Sequence, residues 1–119
     1  VTMSAPNSSP EFPANPAIAA FEKLLDGPRD GALLRFGLGQ EYVKIGDLPR
    51  AVAMFESAVD RDPKYSAAWK ALGKARAECG QRELARQAFE RGVAVAEARG
   101  DVQAAKEMKV FLRRLDRVE

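Results

Sequence analysis

The side chains able to do chemistry here are carboxylates, cations and one thiol, because the 119 residues include no histidine and a single cysteine, Cys79. Without histidine the commonest general base is missing, and so are the nucleophile triads that depend on it. Zinc sites built from cysteine and histidine cannot be assembled around one thiol. Cys79 closes a helical segment with basic residues near it in sequence, and an ordinary small residue at a turn accounts for it without a reactive thiol. Three carboxylates, Glu22, Glu56 and Glu90, recur at a fixed spacing, which marks them as repeat positions and not as an acid–base pair. Gly37-Leu38-Gly39 looks like part of a nucleotide loop, but it follows no strand and lies inside a helical pattern. No enzyme constellation emerges and no cofactor or metal is expected. The chemistry that remains is recognition, with lysine and arginine offering charge-assisted hydrogen bonds.

Composition agrees. With 46% hydrophobic and 30% charged residues the chain reads as a folded globular domain, and its length suits one such domain. A formal charge of +2 argues against a dedicated nucleic-acid binder or a polybasic membrane anchor, unless charge is gathered on one face. The lone thiol gives no internal disulfide, and a cytoplasmic location is expected.

The elements that must position these groups are helices. Residues 1–15 are rich in Ser, Pro and Asn and are expected to be a disordered tail; the Asn7-Ser8-Ser9 glycosylation pattern in it is a chance match. Asn15-Pro16 opens a helix with Ala17, Ala20, Phe21, Leu24 and Leu25 at helical spacing, ended by Gly27-Pro28. Asp30 is expected to cap a second helix running to Ile45, and Asp47-Leu48-Pro49 to start a third that ends near Asp60. Further helices are predicted over about 65–79, 82–98 and 101–117, the last capped by Asp101. No stretch alternates with period two, so no strand is predicted.

The spacing of these helices is periodic. One constant shift superposes Leu38 on Leu72, Gly39 on Gly73, Gly46 on Gly80, Ala51 on Ala85, Phe55 on Phe89, Glu56 on Glu90 and Val59 on Val93. The same shift carries Ala17, Phe21 and Glu22 onto Ala51, Phe55 and Glu56. A fixed period of this size means a stacked helical array. Glycine inside a helix costs about 1 kcal/mol relative to alanine, so Gly39 and Gly73 predict close helix crossings, with Ala51 and Ala85 as the opposing small residues and Phe55 and Phe89 filling the space between hairpins. Glu97 stands where the first repeat has Pro63, so that helix should run longer, and the closing helix fits the repeat only after a two-residue insertion that turns Ala105, Met108 and Leu112 inward.

These residues resemble the tetratricopeptide repeat family, whose pattern is Trp-x2-Leu-Gly-x2-Tyr, then Ala-x3-Phe-x2-Ala, then Pro, within about 34 residues. Residues 32–65 supply Leu38, Gly39, Tyr42, Ala51, Phe55, Ala58 and Pro63, with Arg35 in place of Trp; residues 66–99 supply Trp69, Leu72, Gly73, Ala85 and Phe89, with Arg76 for Tyr and Gly92 for Ala. The resemblance implies an all-α fold over 16–117: antiparallel helical hairpins stacked as a short right-handed superhelix of a half repeat, two full repeats and a closing helix. It also implies a protein-interaction module, an adaptor or scaffold, that holds a peptide or a partner's helix on its concave face. The positions of the family that face this groove fall on Leu33, Phe36, Gln40, Val43 and Lys44, on Ala67, Lys70, Lys74, Ala77 and Glu78, and on Gln103, Lys106, Val110, Arg113 and Arg114. Six of these are basic and one is acidic, so a basic groove for an acidic or carboxylate-terminated segment is expected. The family's carboxylate clamp is not expected, since Phe36 and Gln40 stand where its first Lys and Asn would be. Two other readings compete. End helices exposing Leu24, Leu25, Met108 or Phe111 could pair into a homodimer, or Arg113-Arg114-x-x-Arg117 could bind RNA, although few aromatic residues are available for stacking.

Overall fold

A computed structural model describes residues 15–117 as six helices with no strand among them. They are α1 (Pro16–Glu22), α2 (Ala32–Ile45), α3 (Leu48–Arg61), α4 (Ser66–Glu78), α5 (Arg82–Ala98) and α6 (Val102–Arg117). The expected tail lies outside the described residues except for Asn15, which caps α1. Its side chain accepts the N–H groups of Ala17 at 2.8 Å and Ile18 at 3.2 Å. Asp47 accepts from the Arg50 N–H and Asp101 from the Ala104 N–H, so those two predicted caps also form.

Two local expectations are corrected. The first helix stops at Glu22, and residues 23–26 form a turn in which Asp26 takes a positive φ of 64°. Asp30 does not cap α2: Gly31 does, without a side-chain bond. The reason for both is one cluster. The Asp30 carboxylate accepts the Asp26 N–H at 2.8 Å and the Arg35 guanidinium at 2.6 and 2.9 Å. Arg35 also donates to Ser57 Oγ and is only 13% exposed. It thus fills the place held by Trp69 one repeat later, whose indole N–H donates to the Pro63 carbonyl at 2.8 Å.

The bond from Arg35, followed by that from the Asp26 N–H, holds the Asp30 carboxyl well below the ordinary aspartate range. A carboxyl whose pKa is depressed on folding adds stability above its unfolded value, about 3.9, and that stability is lost as pH falls toward the folded value. Arg35→Met should therefore flatten the dependence of Tm on pH between about 4 and 2, measured by circular dichroism, as well as lowering Tm at neutral pH.

The hairpins α2–α3 and α4–α5 stack, and α6 closes the array against α5 and α4. Gly39 and Gly73 do mark close approaches, but the opposing groups are rings and not Ala51 and Ala85. A Cβ at Gly39 would lie 2.5 Å from the Phe55 ring, and one at Gly73 would lie 2.6 Å from the Phe89 ring. Both rings are 1% exposed. Two of the three recurring carboxylates, Glu22 and Glu56, act as clasps between successive repeats. Tyr42 donates its hydroxyl to Glu22 at 2.5 Å, and Arg76 donates to Glu56 at 2.6 Å, each reaching back to the preceding repeat. Burial and the adjoining Glu22 push the Tyr42 phenol up to about 12. Helix α5 has 17 residues against 14 in α3, as the loss of proline predicts. Ala105 and Met108 are buried on the inner face of α6 and Leu112 is half-buried. Met108 is therefore inaccessible to a second copy.

Candidate binding groove

Helices α2 and α4 are the first helices of the two hairpins and α6 closes the array, and depressions open between them. The first, about 310 Å³, lies between α2 and α4 and is lined by Gln40, Val43, Lys44, Lys74 and Glu78, with Ala71 and Ala75 on one wall and the Phe55 ring at its base. The second, about 480 Å³, lies between the end of α4 and the last turns of α6; Ala77, Phe89, Phe111, Arg114 and Leu115 contribute to it. Ala77 and Phe89 stand one repeat after Val43 and Phe55, so the two depressions are the same feature repeated. The glycines explain why: with no Cβ at Gly39 or Gly73, each phenylalanine ring comes close against the first helix of its own hairpin and becomes a floor.

The expected groove residues divide. Gln40, Val43, Lys44, Lys74 and Glu78 meet in the first depression, Ala77 and Arg114 in the second. Phe36 lies beneath, half-buried, with its ring 4.9 Å from Tyr65 and 5.8 Å from Phe55. Leu33 is 75% exposed at the start of α2, and Ala67, Gln103, Lys106 and Arg113 are exposed; these, with half-buried Val110, line neither depression. Lys70 is bonded to Glu107 at 2.8 Å and lines neither depression.

Phe111 joins the groove without being expected there. Its ring stacks on Phe89 at 5.2 Å, while Lys74 Nζ and the Arg114 guanidinium sit 5.6 and 5.4 Å from its centroid. The repeat offers no signal for it, since the two-residue insertion puts Phe111 in register with Ala75 and Glu41.

The charge of the face is also less basic than its own positions suggest. Glu41 accepts from Lys44 at 2.8 Å and from Asn15, and these bonds lower its pKa. Glu107 is lowered likewise by Lys70 and then Gln103. Among the described residues, Lys74, Lys106, Arg113 and Arg114 pair with no carboxylate. Of these four, Lys74 and Arg114 belong to the depressions, and they converge on one ring.

A family model described as tetratricopeptide repeat matches residues 42–108. A TPR repeat-containing protein of Pseudomonas aeruginosa is 55% identical over 100 residues, which span 84% of this chain and 95% of that one. The solution structure of a Bordetella parapertussis protein is similar over 87% of this chain and 90% of its own, with 44% identity and a TM-score of 0.75. A tetratricopeptide repeat domain protein from Salinibacter ruber, also solved in solution, aligns over 79% of this chain and 94% of its own, at 28% identity and a TM-score of 0.71.

Proposed function

The chain belongs to the tetratricopeptide repeat family, typically protein-interaction modules, and from that premise we propose that its concave face binds an acidic or carboxylate-terminated segment of a partner protein. The observation that carries this reading is the trio Lys74, Phe111 and Arg114. Two cations without carboxylate partners among the described residues flank one ring beside apolar depressions. A carboxylate placed between them gains charge-assisted bonds, and the neighbouring depressions take its apolar side chains. Few residues of peptide fit two depressions, so affinity is modest unless the module is tethered.

Titrating labelled protein with a short acidic peptide tests this. Amide shifts should cluster on Lys74, Ala77, Phe111 and Arg114. Shifts spread over α3 and α5, or none at millimolar peptide, would overturn the reading.

A further inference from the structure

The closing helix is fastened differently from the other two helices of the concave face. Helices α2 and α4 are followed by left-handed glycines, Gly46 with a φ of 86° and Gly80 with a φ of 77°. Allowing for the two-residue insertion, Asp116 stands at the matching position of α6, and the helix runs through it to Arg117. The helix packed on α6 changes in step. Arg82 and Arg86 of α5 stand one repeat after Leu48 and Val52 of α3, which are half-buried apolar side chains. Arg82 donates Nε at 3.1 Å and Nη2 at 2.8 Å to the Leu115 carbonyl, and Arg86 is bonded to Asp116. Two apolar positions of the repeat have thus become cationic donors aimed at the last described turn of α6.

That turn carries half of the carboxylate site. Phe111, Arg114 and Leu115 stand at i, i+3 and i+4, so they share one face of α6 and border the second depression together. The apolar contacts of α6, such as the Phe111 ring on Phe89, hold the helix against α5 but tolerate rotation and sliding, because burial is non-directional. Charge-assisted hydrogen bonds are directional and about twice as strong as neutral ones. Two N–H groups of one planar guanidinium on one carbonyl oxygen fix the direction of approach as well as the distance. The Arg86–Asp116 pair is more exposed and adds little.

Taking the concave face as the carboxylate site proposed above, we infer that Arg82 is its positioning residue: by holding the Leu115 carbonyl it sets the last turn of α6, and with it the Phe111 ring and the Arg114 guanidinium, at the second depression. Without that bond the turn samples other positions, and affinity falls with the fraction of chains in which Phe111 and Arg114 stand ready. Arg82 also borders the second depression, so its test must separate positioning from a direct charge on the ligand.

Arg82→Met keeps the apolar stem and removes the donors, whereas Arg82→Lys restores a donor. In the free chain, amide hydrogen exchange over residues 111–117 should quicken about tenfold in Arg82→Met and about threefold or less in Arg82→Lys, with α4 unchanged. Affinity for the short acidic peptide should fall about tenfold in Arg82→Met and return to within about threefold of the parent in Arg82→Lys. The ratio of parent to Arg82→Met should hold from low to high salt while both affinities fall, since salt screens a charge and not a displaced turn. A ratio that vanishes at high salt makes Arg82 a direct ligand contact and overturns the positioning role. Unchanged exchange over residues 111–117 overturns it as well. A parent that binds while Arg82→Met binds equally overturns this role alone; a parent that binds no acidic peptide on the concave face overturns both readings.

Discussion

Phe89→Ala should lower the free energy of unfolding by about 3–5 kcal/mol, the range for truncating a fully buried phenylalanine. The ring is 1% exposed, stacks on Phe111 at 5.2 Å and lies against Gly73, so its loss opens a cavity bounded on two sides by helices that cannot close in. Domains of this size hold about 5–15 kcal/mol, and each kcal/mol moves Tm by roughly 4–8 °C. The variant should thus melt at least ten degrees or so below the parent. Urea unfolding followed by circular dichroism checks the value, with the slope unchanged. A loss below about 1 kcal/mol would mean that the second hairpin can collapse onto the gap.

The same site gives a change of sign. Gly73→Ala gains about 1 kcal/mol of helix propensity, but its methyl would sit 2.6 Å from a buried ring, and overpacking of that kind costs about 1–3 kcal/mol. The single substitution should therefore destabilise. In the Phe89→Ala background the ring is gone, the methyl fills part of the cavity and only the propensity gain remains, so Gly73→Ala should stabilise by about 1 kcal/mol. The coupling expected from this cycle is the overpacking cost, about 1–3 kcal/mol. If alanine stabilises both backgrounds, close approach is not why position 73 is glycine.

How much of this was legible depends on how local each cause is. The caps at Asn15, Asp47 and Asp101 act on N–H groups two or three residues away, and the sequence pattern alone places them. Asp30 looks the same in sequence, yet its carboxylate is drawn away by Arg35, a residue legible only as a departure from Trp. The glycine–phenylalanine pairs set the period and were visible as identities, but which group faces each glycine was not: the turn of α3 brings Phe55, not Ala51, over Gly39. Register places Gln40, Val43, Lys44, Lys74, Ala77, Glu78 and Arg114 along the depressions, because register fixes which residues share a face, whereas Leu33, Phe36, Lys70, Lys106, Val110 and Arg113 line neither. Groove charge does not follow from register, because Glu41 and Glu107 reach in from adjacent positions to hold Lys44 and Lys70. Phe111 escaped for a related reason, having no counterpart in the other repeats.

That redistribution of charge decides which substitutions should matter for binding. Lys70→Ala should change affinity for an acidic peptide by less than about threefold, since Lys70 is occupied by Glu107 and lies outside both depressions. Lys74→Glu combined with Arg114→Glu should weaken it by about 10- to 100-fold, the equivalent of removing about one charge-assisted hydrogen bond in all. Both side chains sit over the Phe111 face, where a carboxylate ligand is partly shielded from water, so reversal replaces attraction by repulsion at the point where the ligand binds. Neither residue has a carboxylate partner among the described residues to lose, so the unfolding free energy should fall only by the two cation–π contacts with Phe111, about 0.5–1 kcal/mol each. That separation of affinity from stability is the decisive part of the measurement. Phe111→Ala should weaken the same peptide while also destabilising the protein, because its ring belongs both to the site and to the stack on Phe89. Calorimetric titration at two salt concentrations completes the test: the parent should lose affinity as salt rises, and the doubly reversed variant should not. Equal affinities for Lys70→Ala and the double variant would remove Lys74 and Arg114 from the site.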